Sequence, residues 1–156
     1  AGVIASAPAL AQTGVSPALI AISRILSRIT PGLIINTGLD AAGISRDPAV
    51  VRAYRDDPLV HGKASPRLGT ELVKTMEWVL AHAGKWQLPL LMVHGGADPI
   101  VPAASSQAFF ERVPVADKQR IEYEGGYHEP HNDIIHDLVT TDLAGWLDAR
   151  LPGGIG

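Results

Sequence analysis

A chain of 156 residues, 46% hydrophobic and 19% charged, is long and apolar enough to bury a core, which excludes a disordered chain. Its net charge of −3 comes with no run of Lys and Arg, so nothing offers a phosphate track and no nucleic-acid partner is expected. The absence of cysteine excludes disulfides, a thiol nucleophile and thiolate metal sites.

No stretch approaches the roughly 18 apolar residues of a membrane span, so stable membrane insertion is not expected and the expected location is the cytoplasm. Ala1 to Gln12 imitates a targeting signal, but it lacks an initiator Met and a basic start. A buried strand running into a loop explains the same letters better. Gly2-Val-Ile-Ala-Ser6 is that strand, apolar on both faces and stopped by Pro8. A buried parallel strand needs a neighbour on each edge, so a strand at the first residue suggests a cut through a larger sheet.

Ser16-Pro17, Asp47-Pro48 and Ser65-Pro66 each place a capping residue before a proline suited to the first helical position. The first helix is expected to run to about Ile29, with Leu19, Ile22, Leu26 and Ile29 as its apolar stripe. A short helix follows from Asp47 to about Arg55. A longer one runs from Pro66 to about Ala83, carrying Leu68, Leu72, Met76, Val79 and Leu80, with Gly84 as its C-terminal cap. The pattern then changes. Leu88 to His94 reads as a strand, Pro102 to Arg112 as a helix and Gln119 to Glu124 as a strand. Asp133 to Arg150 reads as a helix presenting Ile134, Leu138, Leu143, Trp146 and Leu147 to the interior. The fold class is therefore α/β, a parallel sheet with a helical insertion. Its expected organisation is a core strand in 1–8, a helical cap and connecting helix in 9–86, and core strands and helices in 87–156.

Two loops follow the C-terminal ends of the later strands, where open α/β sheets place their sites. One contains Asp98 and the other His128. A carboxylate at one strand end and an imidazole at the next are spatial neighbours, and the first can orient the second to take a proton from a nucleophile. The order Asp then His is also the later part of the Ser…Asp…His order of α/β-hydrolases.

These loops, Gly-Gly-Ala-Asp98-Pro-Ile-Val-Pro102 and Tyr123-Glu-Gly-Gly-Tyr-His128, resemble the acid and histidine loops of the monoacylglycerol lipase and lysophospholipase branch of the α/β-hydrolases. Gly2 to Ala9 resembles the strand after that family's nucleophile helix, and Arg46-Asp-Pro48 with Asp56 to Gly62 resembles its cap. The resemblance runs in order through nearly the whole chain. It implies that Asp98 is the triad acid and His128 the general base, with no cofactor and no metal. It also implies a carboxylic-ester hydrolase acting on a neutral acyl ester such as a monoacylglycerol.

No Gly-x-Ser-x-Gly occurs, and Ser6, Ser105 and Ser106 have no elbow around them. The expected partner is thus the N-terminal half of the same hydrolase, roughly 100 residues carrying the nucleophile Ser, and this chain alone is expected to be inactive. Leu19, Ile22 and Leu26 of the first helix, with Ile100, are the candidate substrate-binding residues, although the helix stripe serves equally well as packing. The lack of a cationic cluster favours a neutral ester. The other histidines read as core (His94), helix surface (His82) and cap loop (His61). His131 and Asn132 read as caps of the last helix, and Glu129, Asp133, Asp137 and Asp142 as dipole-favouring acids at its start or exposed face. A metal at His128 and His131 lacks a third ligand. Another hydrolase chemistry (peptidase, haloperoxidase or epoxide hydrolase) and a non-catalytic interaction module remain as alternatives.

Overall fold

The most apolar strand organises everything around it. The computed structural model describes residues 1–11 and 17–151, apart from the side chains of Pro17 and Leu19. In it, β4 (Leu90–Gly95) is buried along its whole length, between β1 (Val3–Ser6) and β5 (Lys118–Tyr123). Both pairings are parallel: Val3 to Ser6 lie opposite Leu90 to Val93, and Leu90 to Gly95 lie opposite Lys118 to Tyr123. Alternation along β4 feeds two cores. Leu90 and Met92 pack with Leu10, Ala83, Phe109 and Val113, while Leu91 and Val93 pack with Tyr123, Val139 and Trp146. Burial of each of the four strand side chains, Leu90 to Val93, contributes about 1.5–3 kcal/mol, so β4 is where the sheet is anchored.

Helix α4 (Ala103–Arg112) connects β4 to β5 and covers the first core; α5 (His136–Asp148) covers the second. The α5 face differs from expectation. A 3-10 turn occupies Pro130–Asn132, so the helix begins at His136 and its inward residues are Val139, Leu143, Trp146 and Leu147. That spacing leaves Ile134 at 61% and Leu138 at 55% exposure. His131 and Asn132 sit in the 3-10 turn rather than capping the helix, whose N-cap position is Ile135.

Between β1 and β4 lie α1 (Pro17–Ile29), α2 (Pro48–Asp56) and α3 (Pro66–His82). The expected caps at Asp47 and Ser65 form, accepting from Ala49 N at 2.7 Å and Leu68 N at 3.1 Å; Ser16 lies outside the described residues. Helix α3 passes into a 3-10 turn at Ala83–Lys85 instead of stopping at Gly84. A two-residue antiparallel ladder, β2 (Ile35–Asn36) with β3 (Lys63–Ala64), closes the insertion; strands this short leave no period in a sequence. Helix α1 packs on α3 through the buried pair Ser27 and Thr70, whose hydroxyl oxygens are 3.1 Å apart. Its apolar residues Ile22, Ile25 and Ile29 consequently face outward, at 51%, 58% and 71% exposure.

Candidate active site

Because β4 and β5 are parallel neighbours ending level at Gly95 and Tyr123, the loops after them leave from the same end of the sheet. Backbone bonds join the two loops at once: Ala97 N–H donates to the Gly126 carbonyl at 3.0 Å and Gly96 N–H to the Tyr123 carbonyl at 2.7 Å. Gly95 permits this approach, since a Cβ there would run into the carbonyls of Tyr127 and Gly126.

The junction places Asp98 Oδ2 2.8 Å from His128 Nδ1. The Asp98 side chain is fully buried, whereas that of His128 is 25% exposed. Asp98 Oδ1 accepts the backbone N–H groups of Ile100 at 2.8 Å and Val101 at 2.9 Å, which fixes the plane of the carboxylate. Burial alone would push the Asp98 pKa upward. Hydrogen bonds from His128, His94, Val101 and Ile100 outweigh it and hold the group below the ordinary carboxylate range. An ionised Asp98 makes His128 Nδ1 the donor, which leaves Nε2 as the lone-pair nitrogen. Nε2 has no hydrogen-bond partner among the described residues. An imidazole so oriented, partly open to solvent, is equipped to take a proton from an attacking hydroxyl.

Sequence reasoning missed three features of this arrangement. His94, read as a core residue, is buried, but its Nε2 also lies 3.1 Å from Asp98 Oδ2 and 3.0 Å from the Val101 carbonyl. Asp133, read as a helix-start acid, is buried and bound to Arg46. Its carboxylate accepts Arg46 Nε at 2.8 Å and the backbone N–H groups of Arg46, Ile134 and Tyr127 at 2.9, 2.9 and 3.0 Å. Asp142, likewise read as a dipole-favouring acid, accepts the Tyr123 hydroxyl at 2.9 Å. The Arg46–Asp133 pair belongs to a splint. Residues 43–46 run along the histidine loop, the Gly43 and Ile44 carbonyls accepting His128 N at 3.3 Å and Glu129 N at 2.8 Å. Ser45 Oγ donates to the Asn132 carbonyl at 3.0 Å. Gly43 also presses on the acid loop, where a Cβ would come within 2.9 Å of Pro99 and 3.0 Å of Ile100.

Beside the acid loop lies an apolar cavity of about 400 Å³. Ile100 and Val101 line it from the loop, Ile20 and Ser23 from α1, and Gly69, Leu72, Val73 and Met76 from α3. Of the sequence-selected substrate residues, only Ile100 is placed there. Ile22 is exposed, Leu26 is half-buried without lining the cavity, and the Leu19 side chain lies outside the described residues. A cationic cluster, unseen in the sequence, does assemble in space. Arg24, Arg28, Arg67 and Lys74 meet with Glu71 in a separate groove between α1 and α3, to which neither loop contributes. Among the described residues no group of three or more His, Asp or Glu is arranged to hold a metal ion, and no helix is long and apolar enough to cross a membrane.

The family described as serine aminopeptidase, S33, matches residues 1–135. A monoacylglycerol lipase of Mycolicibacterium smegmatis is 37% identical over 150 residues, covering 95% of this chain and 53% of that protein. The crystal structure of the Paleococcus ferrophilus monoacylglycerol lipase superposes with a TM-score of 0.87 at 36% identity, covering 94% of this chain and 58% of that one. A soluble variant of the Saccharomyces cerevisiae monoglyceride lipase, solved with a substrate analog, gives 0.85 at 25% identity, covering 97% and 54%. The chain thus spans about half the length of the relatives it matches.

Proposed function

The chain belongs to the serine aminopeptidase S33 family of α/β-hydrolases, and we propose that it supplies the acid and the base of a serine carboxylic-ester hydrolase acting on monoacylglycerols or similar neutral acyl esters. The observation that carries this reading is the 2.8 Å bond between Asp98 Oδ2 and His128 Nδ1 beside an apolar cavity. In the proposed mechanism His128 Nε2 removes the proton of a serine hydroxyl as it attacks the ester carbonyl. The ring then returns that proton to the departing alcohol, and the serine ester is hydrolysed by water in the same two steps. Asp98 holds the ring in the required tautomer and stabilises the imidazolium between them.

The serine and the oxyanion donors belong, on this reading, to an upstream segment of the same hydrolase. Two observations support it. The chain covers about half of its relatives, and β1 is hydrogen-bonded to β4 alone among the described residues, leaving an apolar edge of the kind that otherwise aggregates. The helical segment 9–86 is then the cap over the acyl site, with 1–8 and 87–156 as core. The family description raises aminopeptidase chemistry as the competing reading. Such an enzyme must anchor a protonated amino terminus, yet among the described residues no charged one lines the cavity beside the acid loop, which favours an uncharged acyl chain.

Labelling the native preparation with a fluorophosphonate probe, followed by intact mass analysis of every chain, tests the proposal. The expected result is an adduct on an upstream segment that disappears in His128→Ala, with p-nitrophenyl esters cleaved faster than aminoacyl p-nitroanilides. No adduct on any chain would overturn it.

A further inference from the structure

The Asp98 carboxylate serves two imidazoles, and only one of them is in a position to meet a substrate. We propose that His94 is a positioning residue for the reaction: by donating its Nε2–H to Asp98 Oδ2 it sets how much of that oxygen's charge reaches His128. The inference rests on the Asp98–His128 assignment made above and adds a third member to it.

The hydrogen on His94 is located by its neighbours. Nε2 faces two acceptors, Asp98 Oδ2 at 3.1 Å and the Val101 carbonyl at 3.0 Å, so it must be the donor. Nδ1 is buried without a partner among the described residues. A hydrogen there would be an unsatisfied buried donor, whereas a bare lone pair costs less. The ring is therefore fixed as the Nε2–H tautomer. It stands in a strand reading Leu90-Leu-Met-Val-His-Gly95 and buried throughout, with Glu122 as its register partner on β5. An imidazole in that strand loses its hydration, and a leucine would avoid the loss. The bonds to Asp98 and Val101 are what the ring gains in return.

The same bonds tie together the start and the turn of the acid loop. Four donors then share one carboxylate: two backbone N–H groups on Oδ1, and the two rings on Oδ2. Since Oδ1 is held independently, loss of the His94 donor leaves the carboxylate in place but leaves Oδ2 with His128 as its one side-chain donor. The His128–Asp98 bond then strengthens, and the proton on His128 becomes harder to remove. Among the described residues the titratable groups bonded to Asp98 are His94 and His128.

The test compares His94→Leu with His94→Gln in the hydrolase that labels with fluorophosphonate. Glutamine carries an N–H three bonds from Cβ, as His Nε2 is, while leucine has none. The expected result for Leu is a kcat/KM profile whose rising limb moves up by about half to one pH unit, a fall in kcat and an unchanged KM. Gln should restore the limb. An unmoved limb in Leu, or equal profiles for Leu and Gln, would overturn the proposal. A second measurement needs no variant: ring nitrogen NMR of the wild-type protein should show the neutral His94 ring with Nε2 protonated and Nδ1 bare, and the reverse pattern would also overturn it. Labelling of His128→Ala tests the underlying assignment separately, because the adduct persists in that variant, whatever His94 does, if His128 has no catalytic role.

Discussion

Removing the Asp133 carboxylate should cost more than any exposed acid of the last helix. Its side chain is fully buried and accepts three backbone N–H groups as well as Arg46 Nε. In Asp133→Ala all four donors lose their acceptor, and the Arg46 guanidinium, whose Nη2 is already buried without a partner among the described residues, is left as an uncompensated cation. Breaking such a pair from one side costs about 3–5 kcal/mol, and because the four donors share one site their separate penalties do not add. Against a total stability of about 5–15 kcal/mol this is a large fraction. With a urea m-value of about 2 kcal/mol/M, the midpoint should fall by about 2 M. Asp137, whose side chain is 96% exposed, provides the control, and Asp137→Ala should stay within about 0.5 kcal/mol of wild type. The double replacement Arg46→Met with Asp133→Leu should recover part of the loss, since it leaves no orphaned charge while the three backbone N–H groups stay unpaired. An Asp133→Ala midpoint no lower than that of Asp137→Ala would refute the account of the splint.

Acid should act through the same groups. Asp98 and Asp133 are both held below the ordinary carboxylate range by donors that outweigh burial. Each contributes stability that is present above its unfolded value near 4 and lost as pH falls through the folded value. Urea midpoints should therefore be flat between pH 7 and about 5 and drop steeply below about 4; a midpoint unchanged at pH 3 would contradict this. Gly43→Ala drives a methyl against Pro99 and Ile100, at 2.9 and 3.0 Å. It should cost about 1–3 kcal/mol in thermal unfolding and lower fluorophosphonate labelling further than that loss of folded protein explains. Gly69 lines the apolar cavity and has nothing within 4 Å of a Cβ. Gly69→Leu should therefore leave stability unchanged and raise KM for long-chain esters several-fold while sparing acetate esters. Equal effects on both would separate the cavity from acyl binding.

What the sequence revealed and what it hid divide along chain distance. The caps at Asp47 and Ser65 were legible because the bonded amides lie two and three residues away. The acid and histidine loops were legible because strand ends place them and their Gly-rich letters resemble known ones. Asp133 was misread because an acid at that point suits a helix dipole equally well; its partner Arg46 lies 87 positions earlier, and no period or motif joins the two. The inward face of α1 was not legible for a related reason. Its isoleucines describe an apolar stripe, but the side that packs is chosen by the Ser27–Thr70 contact with a helix 43 positions on.

His94 is the instructive case, because calling it core was true and incomplete. A fully buried strand residue gives sequence reasoning one category to fill, and an imidazole fills it adequately. Yet burial is what gives its bond to Asp98 weight. In water that donor would be exchanged freely for solvent, whereas inside β4 it has only Oδ2 and the Val101 carbonyl to serve. The core of this three-stranded sheet and the electrostatics of its candidate site are thus one structure. β4 holds its cores on Leu90 to Val93 and then, in the next residue, turns the same burial toward the carboxylate that orients His128.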